Sequence, residues 1–292
     1  MTTHSYDPQI PTSTRHRFGG PWTQDKLRVL QEYLGFYTQA LKNKPFQLIY
    51  IDTFAGTGRC QIRVGANGEM VIDGSAKIAL DCSPAFHKYH FIERKKAHAD
   101  ELAALIEHHP NGSRATLGRR DAAELLPDLL ATYGRHWKTT RGVLFLDPYG
   151  LQCTWEMVEQ VAATGALDVF FLVSLSGLYR QAAVAEHAVD SGKAARLSAF
   201  LGTDDWRAAL YTQEQQGLFG DSTVTRVPGY DAILDFTTKR LRDVFPYVGE
   251  PRLLGQANGA PMFALYFAVA NSSNAAIALA RRVSREILSK LR

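Results

Sequence analysis

Two hydrophobic periods alternate along this chain. Leu27, Leu30, Leu34, Tyr37 and Leu41 recur at three- and four-residue steps, which predicts one face of a helix. Asn43-Lys44-Pro45 stops it. Phe46 to Ile51 is continuously apolar but for Gln47, and predicts a buried strand. Alternation then continues. Strands are predicted at His87 to Ile92, Arg114 to Gly118, Gly142 to Leu146 and Leu167 to Leu175. Helices are predicted at Ala97 to His108, Ala122 to Tyr133 and Trp155 to Ala163, and a further one starts near Gly74-Ser75. Such alternation implies a parallel sheet covered on both faces.

Other segments depart from this rhythm. Residues 1–45 read as a polar arm followed by the first helix. Residues 59–73 carry Gly65, Asn67 and Gly68 between short apolar pieces and read as a small hairpin or flap. The stretch 177–232 reads as a helical insertion, with helices over Lys193 to Leu201 and Asp205 to Leu210. Tyr247 to Leu254 and Met262 to Ala270 are strand-like and joined by a glycine-containing loop, a C-terminal antiparallel hairpin. Residues 275–291 predict a last amphipathic helix with Ile277, Ala280, Val283, Ile287, Leu288 and Leu291 on its core side. The expected fold is α/β, a Rossmann-like, seven-stranded, mostly parallel sheet in one domain over 1–292.

Composition narrows the setting. Hydrophobic residues make up 46% of 292, enough for a large core. The polar, proline-containing N-terminus has no apolar core of a signal peptide. The longest apolar stretch, Leu167 to Leu175, falls far short of the roughly 20 residues that span a bilayer. Cys60, Cys82 and Cys153 form no CxxC, and the histidines no metal-binding pattern. No membrane, no metal and a cytoplasmic location are the expectations. The net charge is +4, and residues 281–292 hold Arg281, Arg282, Arg285, Lys290 and Arg292 against Glu286 alone. A basic helix end suits a polyanion such as nucleic acid, through Arg281, Arg285 and Lys290. It equally suits the helix dipole.

Candidate chemistry gathers at the predicted strand ends. Asp52-Thr53-Phe54-Ala55-Gly56-Thr57-Gly58 follows the first strand directly. Ligands of open parallel sheets sit at the carboxyl ends of strands, and glycines let backbone approach a ligand. A dinucleotide fingerprint would need a glycine at 61, which is Gln61. That disfavours a nicotinamide oxidoreductase. A phosphate loop would need Gly-Lys-Ser/Thr, and Arg59 follows Gly58. What remains matches the D-x-F-x-G-x-G form of many nucleic-acid methyltransferases, which bind S-adenosyl-L-methionine. Glu93 ends the next strand, where a carboxylate accepts ribose hydroxyls or, alternatively, pairs with Arg94 or Lys95. Asp121 follows the third strand, placed for an adenine amino group or as a helix N-cap. Asp147-Pro148-Tyr149-Gly150 ends the strand Gly142 to Leu146. It resembles the D/N/S-P-P-Y/F motif of amino-methyltransferases, and more closely the D-P-F-G form of tRNA guanine-N2 methyltransferases. There the acidic side chain and the proline carbonyl orient an amino group while the aromatic ring stacks on the base. Read structurally, Pro-Tyr-Gly is a turn after a strand.

Taken in order, Gly20-Pro21-Trp22 with Lys26 and Leu27, Ile51 to Gly58, Gly74-Ser75, Phe91-Ile92-Glu93 and Phe145 to Leu151 followed by Trp155 resemble the three-Cys-motif partner protein family, TcmP. The resemblance covers roughly residues 18–175. It implies a class I methyltransferase-like fold and a protein partner carrying the three-cysteine motif. The cysteines of this chain are unrelated to that name. Two activities fit these residues: a methyltransferase of an amino group on a nucleic-acid base, and a regulatory S-adenosylmethionine-binding subunit acting with a partner protein.

Overall fold

A computed structural model describes residues 20–64, 68–215, 222–255, 259 and 261–287. Helix α1 (Pro21–Leu41) leads into strand β1 (Gln47–Asp52). A hairpin, β2 (Arg59–Val64) and β3 (Gly68–Asp73), precedes α2 (Ser75–Asp81). There follow β4 (Lys88–Ile92), α3 (Lys96–Glu107), β5 (Ala115–Gly118), α4 (Ala122–Tyr133), β6 (Thr140–Leu146), α5 (Trp155–Ala163) and β7 (Leu167–Ser174). These match the predicted alternation to within a few residues.

Strands β5, β4, β1, β6 and β7 lie side by side and parallel. Their near-continuous apolar runs are explained by helices on both faces. In β1, Leu48 and Tyr50 face α1, α2 and α3, while Ile49 and Ile51 face the cluster built on α4 and α5. Beyond β7 come α6 (Leu175–Gln181), α7 (Ser191–Leu201), α8 (Trp206–Leu210), the hairpin β8 (Tyr211–Gln215) and β9 (Ser222–Arg226), and α9 (Asp231–Val244). Within 177–232, helices reach Leu210, the β8–β9 hairpin follows as far as Arg226, and α9 begins at Asp231. Helix α9 has no counterpart in the sequence prediction. Its buried stripe includes Thr237 and Thr238, so hydrophobic periodicity understates it.

The predicted strand 247–254 is two strands, β10 (Tyr247–Val248) and β11 (Arg252–Gly255). Pro251, which lacks a backbone donor, precedes the second. Both pair antiparallel with β12 (Pro261–Val269). Strand β12 is also antiparallel to β7, so it is inserted between β7 and β10. The sheet order is β10-β12-β7-β6-β1-β4-β5, with β11 as an eighth strand on β12. Helix α10 (Asn274–Glu286) closes the described chain; Ala280, Val283 and Ile287 are buried, Ile277 is half-buried, and Leu288 and Leu291 lie outside the described residues.

Helix α1 runs antiparallel to the strands, from the carboxyl end of β6 back to its start. Tyr37 Oη donates to the Gly142 carbonyl at 3.3 Å, and Lys26 pairs with Asp147. Lys26 to Tyr37 rises about 16 Å at ~1.5 Å per residue. Gly142 to Asp147 spans about 16 Å at ~3.3 Å per residue. The two lengths agree, so both contacts hold at once. Between them Tyr33 packs edge-on against Phe170 and Phe267, with ring centroids 4.9 and 5.1 Å away, and its hydroxyl donates to Asp168. Leu30 is fully buried in the same layer. Leu30→Ala is expected to destabilise the protein by about 2–5 kcal/mol, read as a lowered midpoint in denaturant unfolding.

Candidate functional site at the strand ends

The loop after β1 is held from both sides. Thr53 N–H and its Oγ1 donate to the Phe145 carbonyl of β6 at 3.3 and 3.2 Å. Ala55 N–H donates to the Ile92 carbonyl of β4 at 3.0 Å. Phe54 packs on the α4–α5 core cluster, and Thr57 Oγ1 donates to the Arg59 carbonyl. Gly56 and Gly58 adopt φ of 60° and 77°, the left-handed region open to glycine. A Cβ on Gly58 would sit 2.9 Å from Leu105 Cδ1, so that site is closed by the core. A Cβ on Gly56 would meet nothing within 4 Å, so there the backbone faces open space.

Glu93, ending β4, is bonded to the same loop. Gly56 N–H donates to one carboxylate oxygen at 3.0 Å and Lys95 N–H to the other at 2.7 Å. Sequence position brought Glu93 and Gly56 to one edge; the fold joins them directly. Asp121 differs. Its Oδ1 accepts from Ala123 N–H at 3.0 Å as the N-cap of α4, and its Oδ2 accepts from Arg94 at 2.9 Å. Its capping role is therefore present in this structure, and its second oxygen is engaged by a guanidinium.

Asp52 is fully buried at the end of β1. It accepts from Phe54 N–H at 3.2 Å and lies within 3.4 Å of Tyr50 Oη. Burial pushes its pKa up to about 7, opposed by hydrogen bonds from Ser75 and Phe54 and by Lys26, and helped by the charge of Asp147. A buried carboxyl poised near neutrality fits a cationic ligand that would share its charge.

Asp147 ends its strand on the same side of the sheet as Asp52. Its carboxylate accepts from Lys26 of α1, whose ammonium also lies 5.6 Å from the centre of the Phe145 ring. The lysine side chain is 9% exposed and that of Asp147 27%. Pro148 is buried, and Tyr149 is 69% exposed beside it. Lys26 is the site residue that candidate chemistry misses. Its one signal is its place in the Gly20-Pro21-Trp22 segment, because the contact itself spans 121 residues of sequence.

The remaining side chains are structural. Cys153 and Trp155 are buried in the α4–α5 cluster. Among the described residues, no His, Cys, Asp or Glu group is arranged to hold a metal ion, and no helix is long and apolar enough to cross a membrane. Arg281, Arg282 and Arg285 are exposed on α10, with Arg282 paired to Glu286. Lys290 lies outside the described residues.

No protein-family model and no curated protein matches this sequence. Solved structures do. A Legionella pneumophila protein of the DUF519 family is 11% identical, with 94% of each chain covered and a TM-score of 0.53. Glycopeptide N-methyltransferase MtfA, solved with S-adenosylmethionine bound, is 10% identical over 90% of this chain and 99% of its own, with a TM-score of 0.36. Spermidine synthase of Thermotoga maritima is 11% identical over 93% of this chain and 67% of its own, with a TM-score of 0.40. The first match bears on the fold alone, and the other two are too distant to extend it. The fold is class I methyltransferase-like. The strand order, with one antiparallel strand inserted next to the edge, is its basis.

The raised pKa of Asp52 has a stability consequence. Between pH of about 4 and about 7 the folded chain keeps a proton that the unfolded chain has released, so stability falls as pH rises through that window. Asp52→Asn is expected to flatten that slope, by an amount on the order of a few kcal/mol across the window. Denaturant unfolding of both proteins at a series of pH values measures it; parallel slopes would refute the assignment.

Proposed function

We propose that this chain binds S-adenosylmethionine at the Gly56–Glu93 edge and methylates an amino group, first among candidates one on a nucleic-acid base. One observation carries the reading: Asp52, Gly56, Glu93 and Asp147 stand at the ends of three adjacent parallel strands, with Glu93 bonded to the Gly56 amide. The open space beside the Gly56 backbone leaves room for a ligand to approach it, and the carboxyl of Asp52 lies beneath the same loop. Bound there, the cofactor supplies an electrophilic methyl group. Glu93 would accept the ribose hydroxyls through its remaining lone pairs, and buried Asp52 would offset the cofactor's positive charge from beneath the loop. Asp121 would have to give up Arg94 to reach an adenine amino group. Asp147 and the Pro148 carbonyl orient the acceptor's amino group, and the exposed ring of Tyr149 stacks on its base. The resemblance to TcmP adds a protein partner with a three-cysteine motif to this reading.

A second reading, a cofactor-binding regulatory subunit, draws on the Lys26–Asp147 pair, which already occupies the orienting carboxylate. Calorimetry with S-adenosylmethionine, followed by a radiolabel screen over DNA, RNA, protein and small molecules, separates the two. Gly56→Val is expected to leave a folded protein, at a local cost of about 1–2 kcal/mol for a side chain in the left-handed region, and to weaken cofactor binding at least tenfold. Gly56 is the cleaner test than Gly58, whose substitution also strikes Leu105 and Leu102. Asp147→Ala is expected to keep cofactor affinity and lose turnover. Unchanged affinity in Gly56→Val removes the cofactor site; unchanged turnover in Asp147→Ala removes the acceptor role.

The exposed arginines of α10 suit a phosphate backbone. Neutralising Arg281, Arg285 and Lys290 together is expected to weaken nucleic-acid affinity and to lower the slope of log affinity against log salt, each lost phosphate contact removing about 0.7–0.9 from it. No binding of the unaltered protein to DNA or RNA at low salt would remove this surface from consideration.

A further inference from the structure

A lysine at position 26 is costly where it stands. Taking an ammonium out of water costs several kcal/mol unless it is paired, and an apolar side chain would pack on Phe145 without that cost. The ammonium instead lies beside the one carboxylate that opens toward the proposed acceptor, and it also acts on Asp52 and Cys60. The pair is open on its Asp147 side, with the Lys26 side chain 9% exposed behind it. Asp147 is 27% exposed, and Tyr149 beside it is 69% exposed. An ammonium carries three donors and an ionised carboxylate about four lone-pair sites, so one contact between them leaves capacity on both. Toward the open side the pair therefore presents an acceptor next to a donor.

We propose that Lys26 is a specificity-determining residue of the acceptor site: with Asp147 it reads a planar amino group that has a hydrogen-bond acceptor on the neighbouring ring atom. Adenine N6 beside N1 and cytosine N4 beside N3 have this edge. Asp147 accepts from the amino group while Lys26 donates to the ring nitrogen. Lys26 also sets the charge of the site. A lone Asp147 would attract alkylammonium groups; paired with Lys26 it presents a dipole, and a cationic amine meets a like charge at close range. The selected acceptor is a neutral aromatic amine, not a protonated alkylamine. This inference rests on the amino-methyltransferase reading and deepens it.

The test uses the full chain, Lys26→Met and Lys26→Arg, with circular dichroism and the midpoint of denaturant unfolding as the check that each variant is folded. Labelled methyl transfer is measured to DNA and RNA oligonucleotides and to polylysine. For the base that takes the label, a second oligonucleotide replaces the neighbouring ring nitrogen by C–H. Oligonucleotide affinity in the presence of S-adenosylhomocysteine is read by fluorescence anisotropy. In the unaltered protein the nitrogen-to-carbon change should lower kcat/KM and affinity about tenfold, the scale of one hydrogen bond. Lys26→Met should fall to that level with the normal base and no longer respond to the change. Lys26→Arg should recover part of the response. Lys26→Met that keeps full activity, or still senses the ring nitrogen, overturns this inference alone. So does labelling of polylysine as strong as that of the oligonucleotides. A chain that binds the cofactor and labels no acceptor overturns the amino-methyltransferase reading, and this inference with it.

Discussion

Strand β1 is the constraint from which the site follows. It is paired on both edges, by β4 and β6, and packed on both faces, so its end has nowhere to move. Every buried peptide group must find a partner, and just beyond β1 those partners come from the neighbouring strands. Thr53 bonds to Phe145 and Ala55 to Ile92. The loop that follows is thus fixed by the ends of the strands that carry Asp147 and Glu93. Because the strands are parallel, their carboxyl ends share one edge, and the three acidic side chains arrive together without any contact between them having to be specified. A loop with few local bonds of its own acquires rigidity from the sheet.

Helix α1 contributes what the sheet cannot. Asp52 at the end of the central strand is covered, but Asp147 at the end of β6 is left partly open by the sheet. Laying a helix antiparallel across the sheet brings one helical residue to the strand ends and another to the strand starts. Tyr33 and Tyr37 satisfy Asp168 and the Gly142 carbonyl at the starts, Lys26 satisfies Asp147 at the end, and Leu30 and Leu34 fill the span between. The helix is both a layer of the core and a carrier of charge into the site.

The parts legible in the sequence are those governed by local pattern. Strands β1, β4, β6 and β7 are buried on both faces, so they read as apolar runs whatever their neighbours are. The Asp52 to Gly58 loop and the Asp147-Pro148-Tyr149-Gly150 turn are visible because a sharp turn after a buried strand needs glycine, here Gly56, Gly58 and Gly150 in the left-handed region. What escapes the pattern depends on tertiary context. Helix α9 buries two threonines, and β8 and β9 are short strands rich in Thr and Gln that pair with each other and touch the core through Tyr211 and Val224. The split of 247–254 follows from how β10 and β11 share one edge of β12. Asp121 shows the limit from the other side. Its position at a strand end is legible, but whether its oxygens serve a ligand or a helix is decided by Arg94 and by the start of α4, and here they cap and pair.

The balance of charge at the site connects these observations. Asp52 is buried enough to hold a proton near neutral pH, and the negative charge of Asp147 pushes it further in that direction. Lys26 opposes that push and neutralises Asp147 locally. Without Lys26, two carboxylates on one side of two adjacent strands would repel each other, and the buried one would be driven more firmly to its neutral form, with less attraction for a cationic ligand. With Lys26 in place, the charge of Asp147 is compensated and its push on Asp52 is opposed. One helical lysine therefore acts on both halves of the edge: it pairs with Asp147 and, more weakly than burial and the Ser75 and Phe54 hydrogen bonds, favours the ionised form of Asp52. That coupling is a physical reason for an ammonium, rather than an apolar side chain, at this buried position of α1.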